Sequence, residues 1–263
     1  MTMSNFGLYS KYYDLLYREK DYSGESNYVL NLIQRHGENA ERKQWNILEL
    51  GCGSGGHAAF IAPTIHQLVG VERSHEMAVQ AVAKNIGNFQ IFEGDITLLD
   101  KVLPEDYKNE SFDAVISLFH VVSYINQNDD LRSCLMSVYN SLKPGGVFVF
   151  DVWFAPAVFW LRPERRVKHM SDDFIHVERT ANSSIDVMSN VVTVKFDTQI
   201  IDNSTGESST LQETHPMRCY GVPEISLLAQ EFGMQVVCVE EFLSGKPASV
   251  ETWGVCFVLK KNK

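Results

Sequence analysis

The 263-residue sequence is short of positive charge: 23 Lys and Arg stand against 33 Asp and Glu, a formal net charge of -10. A polyanion is usually gripped by a basic footprint, so neither nucleic acid nor an anionic membrane surface is an expected partner. Cysteine is sparse too. The five (Cys52, Cys134, Cys219, Cys238, Cys256) are odd in number and scattered, with no CxxC pair. That spacing argues against a disulfide framework and against a zinc site, and no metal is expected. No apolar run is long enough to span a bilayer. The opening MTMSNFGLYSKYYDLLYREKDY has no apolar signal core, being full of Tyr and charge, so a cytoplasmic location is expected. No repeat or low-complexity tract is evident.

What is present is ordinary globular composition, 44% hydrophobic and 21% charged. Five short runs are apolar nearly throughout: Asn46–Leu50, His66–Glu72, Phe89–Asp95, Ser111–Leu118 and Gly146–Trp153. Such runs suit parallel strands covered on both faces. Helical patterns separate them: Gly55–Ala62, then Glu76–Asn85 behind a Ser74 cap, then a stripe of Leu131, Leu135, Val138 and Leu142 behind an Asn128 or Asp129 cap. The alternation predicts an α/β fold, a doubly wound, mostly parallel sheet. Before it, one helical face carries Leu8, Tyr12, Leu15 and Leu16, and a second helix covers about 25–35. Residues 174–220 differ. Val191–Ile201 alternates and is β-branched, Asp202–Gly206 is a turn, and three antiparallel strands are expected as an insertion after the fifth strand. Pro223 and Gly233 bracket one more helix. Met234–Phe242 and Thr252–Lys260 are expected as an antiparallel edge pair, completing seven strands.

The first strand runs into Gly51-Cys52-Gly53-Ser54-Gly55-Gly56. Glycines permit a sharp turn and let a ligand lie on bare backbone, while the next helix aims amide donors at it. A lone GxGxxG fits a nicotinamide dinucleotide equally well. Three acids shift the balance: Glu49 before the glycines, Glu72 at the second strand's end and Asp95 at the third's. They would crowd a pyrophosphate with like charge, but they suit a cation bearing a ribose, an adenine amino group and an ammonium, as S-adenosyl-L-methionine does.

With ILELGCGSG, VGVERS, FEGDI, FDAVISL and LKPGGVFVFDVW together, the chain resembles the class I methyltransferase family over roughly 45–153 and again at 223–260. The resemblance implies that Gly51, Gly53 and Gly55 line the methionine and ribose of S-adenosyl-L-methionine, the product being S-adenosyl-L-homocysteine. It implies that Glu72 holds the ribose diol, Arg73 and Met77 flank the adenine, and Asp95 takes the adenine amino group with Ile96 against the ring. Phe119 and His120 would face the sulfonium. Cys52 and Leu118 are counted with the cofactor-binding set. The opening Tyr13-Asp-Leu-Leu-Tyr17-Arg-Glu-Lys-Asp-Tyr22, the DVWF at 151–154 and Glu213-Thr-His215-Pro-Met-Arg218 resemble the branch that N-methylates amino sugars on nucleotide carriers. Four parts are therefore expected. Residues 1–44 are helices covering the cofactor site, and 45–153 form the cofactor-binding core. Residues 154–221 form an inserted loop and sheet serving as substrate contact, lid or homodimer surface, and 222–263 complete the core.

Tyr13 and Tyr22 are candidates to close over the cofactor, the alternative being amphipathic helix packing. His120 is the first candidate for a general base and Tyr13 the second. Trp153, Arg165, Arg166, His215 and Arg218 are candidates for a small-molecule acceptor, with Arg165 and Arg166 gripping a phosphate; solvated loop and strand faces are the alternative. O- or C-methylation, a nicotinamide oxidoreductase and a non-catalytic cofactor-binding protein are the competing readings. The oxidoreductase is opposed by Glu49, Asp95 and the lack of an evident Tyr-xxx-Lys pair.

Overall fold

The apolar runs of the sequence become the middle of a seven-stranded sheet. The structure, a computed structural model, describes residues 12, 15, 16, 18 and 20–263. In chain order the elements are α1 (Tyr22–His36), β1 (Asn46–Leu50), α2 (Ala58–Ile61), β2 (Gln67–Glu72), α3 (His75–Ala83), β3 (Phe89–Glu93), α4 (Leu99–Val102), β4 (Phe112–Ser117), α5 (Asn128–Ser141), β5 (Leu142–Trp153) and α6 (Ala155–Leu161). They continue with β6 (Arg166–Ser171), β7 (Ile175–Asp186), β8 (Val191–Asp202), β9 (Ser208–Arg218), α7 (Val222–Glu231), β10 (Met234–Glu241) and β11 (Gly254–Lys261).

The large sheet has the order β10-β11-β5-β4-β1-β2-β3. β1 pairs in parallel with β2 and β4, β2 with β3, and β4 with β5. β11 is antiparallel to both β5 and β10. β10 and β11 form the antiparallel pair at the sheet's edge that the sequence suggests, with β10 outermost and β11 between it and β5. Side chains alternate between two cores. Leu48, Val115, Phe148 and Phe150 pack with α5 and α7 on one face, and Ile47, Ala114, Ile116 and Val149 pack with α1 and α2 on the other. Both faces are covered, which is why these strands read as unbroken apolar runs. Strand order reverses between β1 and β4, and a crevice at such a switch point, outside the carboxyl ends of the strands, is where ligands bind in open α/β sheets.

Local details follow the residues. Ser74 caps α3, its hydroxyl accepting the Met77 amide hydrogen. Gln127, not Asn128 or Asp129, takes the cap position of α5, without a side-chain bond; the Asn128 amide oxygen instead accepts from Arg218 at 2.8 Å. The helix expected over Gly55–Ala62 shrinks to Ala58–Ile61, followed by a 3-10 turn that contains Pro63.

A second unit comprises Arg162–Met217 and the described residues up to Asp21, the first being Tyr22–Leu161 with Arg218–Lys263. The insertion is thus narrower than 154–221, and the chain from Tyr22 to 44 groups with the core. The insertion holds four strands in the order β6-β7-β8-β9, one more than expected. The extra strand is β6, which carries Arg166, Lys168 and His169 and pairs with β7 through Val167 and Thr180. Five of its six residues are exposed. A charged edge strand of this kind has no buried face to print an alternation into its sequence. A small core of Tyr12, Leu15, Ile175, Val177 and Ile200 supports this sheet. Among the described residues no helix is long and apolar enough to cross a membrane.

Candidate active site

The β1 carboxyl end turns sharply because Gly51, Gly53 and Gly55 have φ of +70°, +56° and +76°, a region open to glycine at little steric cost. Gly51 is also hemmed in: a Cβ there would lie 2.7 Å from Val121 Cγ1. At Gly53 the only neighbour of such an atom among the described residues would be Met77 Sδ at 3.8 Å, so the backbone there is bare of close packing from them. At Gly56 it would collide with the Tyr22 ring, 2.3 Å from Cε1. Tyr22, at the start of α1, therefore stands directly against the glycine loop.

The Glu72 carboxylate organises this turn. One oxygen accepts the Gly53 backbone N–H at 2.9 Å and the other accepts that of Ser74 at 2.8 Å. The Asp95 side chain accepts from the Thr97 amide and hydroxyl and lies 4.0 Å from an exposed Arg73. Ile96 begins the 3-10 turn behind it. Glu49 is 1% exposed, with its Oε2 buried and lacking a hydrogen-bond partner among the described residues. Burial raises its pKa to about 7, the nearby Glu72 adds to the rise and His57 opposes it. Cys52 is buried, and burial together with Glu49 and Glu72 holds its thiol protonated.

Past β4 the chain makes a second unusual turn. Leu118 is buried, and Phe119 and His120 follow at φ +67° and +59°. Two consecutive non-glycine residues in this region cost of the order of 1–3 kcal/mol each, and such strain gathers at functional sites. Asp151, in β5 and 1% exposed, holds the turn: its carboxylate accepts the His120 backbone N–H at 3.2 and 3.3 Å. His120 Nδ1 lies 2.7 Å from Asp151 Oδ2. The imidazole, a quarter exposed, is bordered by Phe119 and by Trp153, whose own ring meets Trp253 edge-on at 5.7 Å. Sequence reasoning missed Asp151 and Trp253. The signal for the first was available, an acid in the otherwise apolar run GVFVFDVW, whereas Trp253 arrives from a distant segment through the β5–β11 pairing.

The other candidates divide. Tyr13, together with Tyr17, lies outside the described residues. Arg165 and Arg166 are exposed at the start of the inserted sheet, and His215 lies in β9, edge-on to Phe196. Burial lowers the His215 pKa, Arg179 lowering it further against Glu213. The Arg218 guanidinium is engaged within the core, donating to Asn128 and Glu224; this intramolecular role is one its sequence context did not suggest.

With this geometry in view, comparison with known proteins is direct. Residues 47–146 match a family described as a methyltransferase domain. The chain is 19% identical to an S-adenosylmethionine-dependent methyltransferase from Clostridium acetobutylicum, with a TM-score of 0.79 over 98% of this chain and 99% of that one. An amino pentose methyltransferase of Micromonospora echinaspora, solved with S-adenosylmethionine bound, superposes with a TM-score of 0.74 at 20% identity, over 97% and 96%. The fold is therefore that of the S-adenosylmethionine-dependent methyltransferases. In sequence, a dTDP-3-amino-3,4,6-trideoxy-alpha-D-glucopyranose N,N-dimethyltransferase of Streptomyces venezuelae is 29% identical over 150 residues, 56% of this chain and 58% of that protein. The match thus spans little more than half of that relative's length.

Proposed function

We propose that the chain is an S-adenosylmethionine-dependent N-methyltransferase whose acceptor is an amino group on a small molecule, an amino sugar on a nucleotide carrier. The observation that carries the proposal is the glycine turn bound to Glu72 at the switch point, with the His120–Asp151 pair on the neighbouring strand ends. The residues suit the donor. Gly53 offers bare backbone. Glu72 has two oxygens on two amides, and a carboxylate has lone pairs to spare for a ribose diol. The unpartnered Glu49 oxygen under the loop supplies the negative charge that a cationic ligand favours.

S-Adenosylmethionine brings a methyl group on a sulfonium, passed to a nucleophile by in-line displacement with a neutral thioether leaving. The chain must align the two partners, an effect worth about 7–11 kcal/mol in well-oriented cases. It must also receive a neutral amine, since alkyl amines are mostly protonated near neutrality. His120 is placed for this: with Nδ1 toward Asp151, its other nitrogen is the one left to take a proton. The aromatic border of Phe119 and Trp153 favours a cationic product over water. A displacement of this kind requires no metal. The relative acting on a dTDP-linked amino sugar supports this acceptor class.

The test is incubation of the full chain with S-adenosylmethionine and dTDP-3-amino-3,4,6-trideoxyglucose, read by mass spectrometry. Gain of one or two methyl groups supports the reading. Turnover only of hydroxyl or carbon acceptors in a wider panel would replace it with O- or C-methylation. Arg165 and Arg166 are our candidates for the acceptor's phosphates. Reversing both charges should raise the acceptor KM about tenfold or more with kcat largely kept, as expected for a charge pair used equally in ground and transition states. An unchanged KM would leave them as solvated side chains.

A further inference from the structure

Beneath the glycine loop lies a row of three ionisable side chains from three different segments. Glu25 is on α1, Glu49 is in β1, and His57 is at the loop's far end; they are 8%, 1% and 6% exposed. His57 Nε2 lies 2.7 Å from Glu25 Oε2, and its Nδ1 lies 3.7 Å from Glu49 Oε1. The edge of the same imidazole meets the Tyr22 ring, centroids 5.0 Å apart. His57 thus sits where α1, Tyr22 and the glycine turn join. A buried carboxylate with a bare oxygen, as Glu49 has, is costly unless a cation compensates it.

We infer that His57 is a positioning residue for the cofactor: clamped between Glu25 and Glu49, it ties α1 and Tyr22 to the glycine loop and keeps Glu49 charged beneath it, making cofactor binding pH-dependent. The inference rests on the cofactor reading proposed above. The groups facing Glu49 are His57, Glu72 at the end of β2 and the protonated thiol of Cys52. Those facing His57 are Glu25 and Tyr22 from α1, with Glu49 opposite. His57, held by Glu25 on its other side, draws the Glu49 pKa down against burial and Glu72.

The sign follows. With Glu49 titrating at about 7, acidification through neutrality neutralises it, and affinity for a ligand carrying an ammonium falls. Removing His57 removes the downward pull, so the loss of affinity should begin at higher pH.

The experiment is calorimetric titration of the full chain with S-adenosylhomocysteine at roughly pH 6 to 9, spanning the histidine range. Wild type, His57→Gln, Glu25→Gln and Glu49→Gln are compared, folding of each being checked by circular dichroism. In His57→Gln the midpoint of the affinity loss should move up by about one pH unit, a tenfold deficit near neutrality that closes at high pH. Glu25→Gln should move it the same way by less, and Glu49→Gln should flatten the profile. A uniform loss at every pH with the midpoint unmoved, or a wild-type profile in Glu49→Gln, would overturn the inference. If His57→Gln fails to fold, the Glu25→Gln and Glu49→Gln profiles decide it. Absence of wild-type binding at any pH would instead sink the cofactor reading.

Discussion

Glu72→Ala should lower the affinity for S-adenosylhomocysteine at least a hundredfold while leaving the protein folded. The carboxylate accepts two backbone N–H groups at 2.8 and 2.9 Å, and these bonds hold Gly53 and Ser74 on either side of the crevice. Hydrogen bonds to a charged group contribute about 1.5–3 kcal/mol each, and tenfold in affinity is about 1.4 kcal/mol. Under the proposed cofactor reading, loss of the loop's anchor together with the acceptor for a ribose diol exceeds two decades. Glu72 is only half-buried and packs no core, so the variant should still fold, with a stability lowered by the loss of these two intramolecular bonds. Calorimetry of wild type and variant with S-adenosylhomocysteine, NAD and NADP makes the measurement. Undiminished binding in the variant would take Glu72 out of the site. Dinucleotide binding without homocysteine-adduct binding would bring back the oxidoreductase reading.

That Glu72 could be named from sequence reflects a physical regularity. Where a parallel strand ends, a polar residue has no sheet neighbour to satisfy it, so an acid at the close of an apolar run marks a strand end facing a crevice. Asp95, just past β3, stands in the same kind of place, and the core strands were legible for a related reason: both faces are covered, so their residues are nearly all apolar. The inserted sheet was less legible. Val191–Ile201 alternates clearly, but β6 is almost wholly exposed and carries its pairing in backbone hydrogen bonds, which leave no mark on side-chain chemistry. The trio Glu25, His57 and Glu49 was invisible for another reason. Its members are separated by up to 32 residues and meet only because α1 packs against the loop that follows β1. Arg218 shows the converse. Its neighbours in sequence suggested a ligand contact, whereas the fold uses it to tie α5 to α7.

Asp151→Asn should reduce kcat for N-methylation by about a hundredfold or more with a small change in KM. General acid–base catalysis contributes typically 10²–10⁴-fold, and in the proposed mechanism it depends on the carboxylate 2.7 Å from the His120 ring. The asparagine oxygen can still accept the His120 backbone N–H, so the strained turn at Phe119 and His120 should survive. What is lost is the negative charge beside the His120 ring. His120→Asn should match the single variant, and the double variant should be no worse than either, because two residues acting as one device are not additive. Rapid-quench measurement of the single-turnover rate separates this step from product release. If His120→Asn keeps the full rate, the amine reaches the site already deprotonated and alignment alone carries the reaction. The strained turn would then be understood as shaping the aromatic border of Phe119 and Trp153 around the acceptor nitrogen, with Asp151 as its structural anchor.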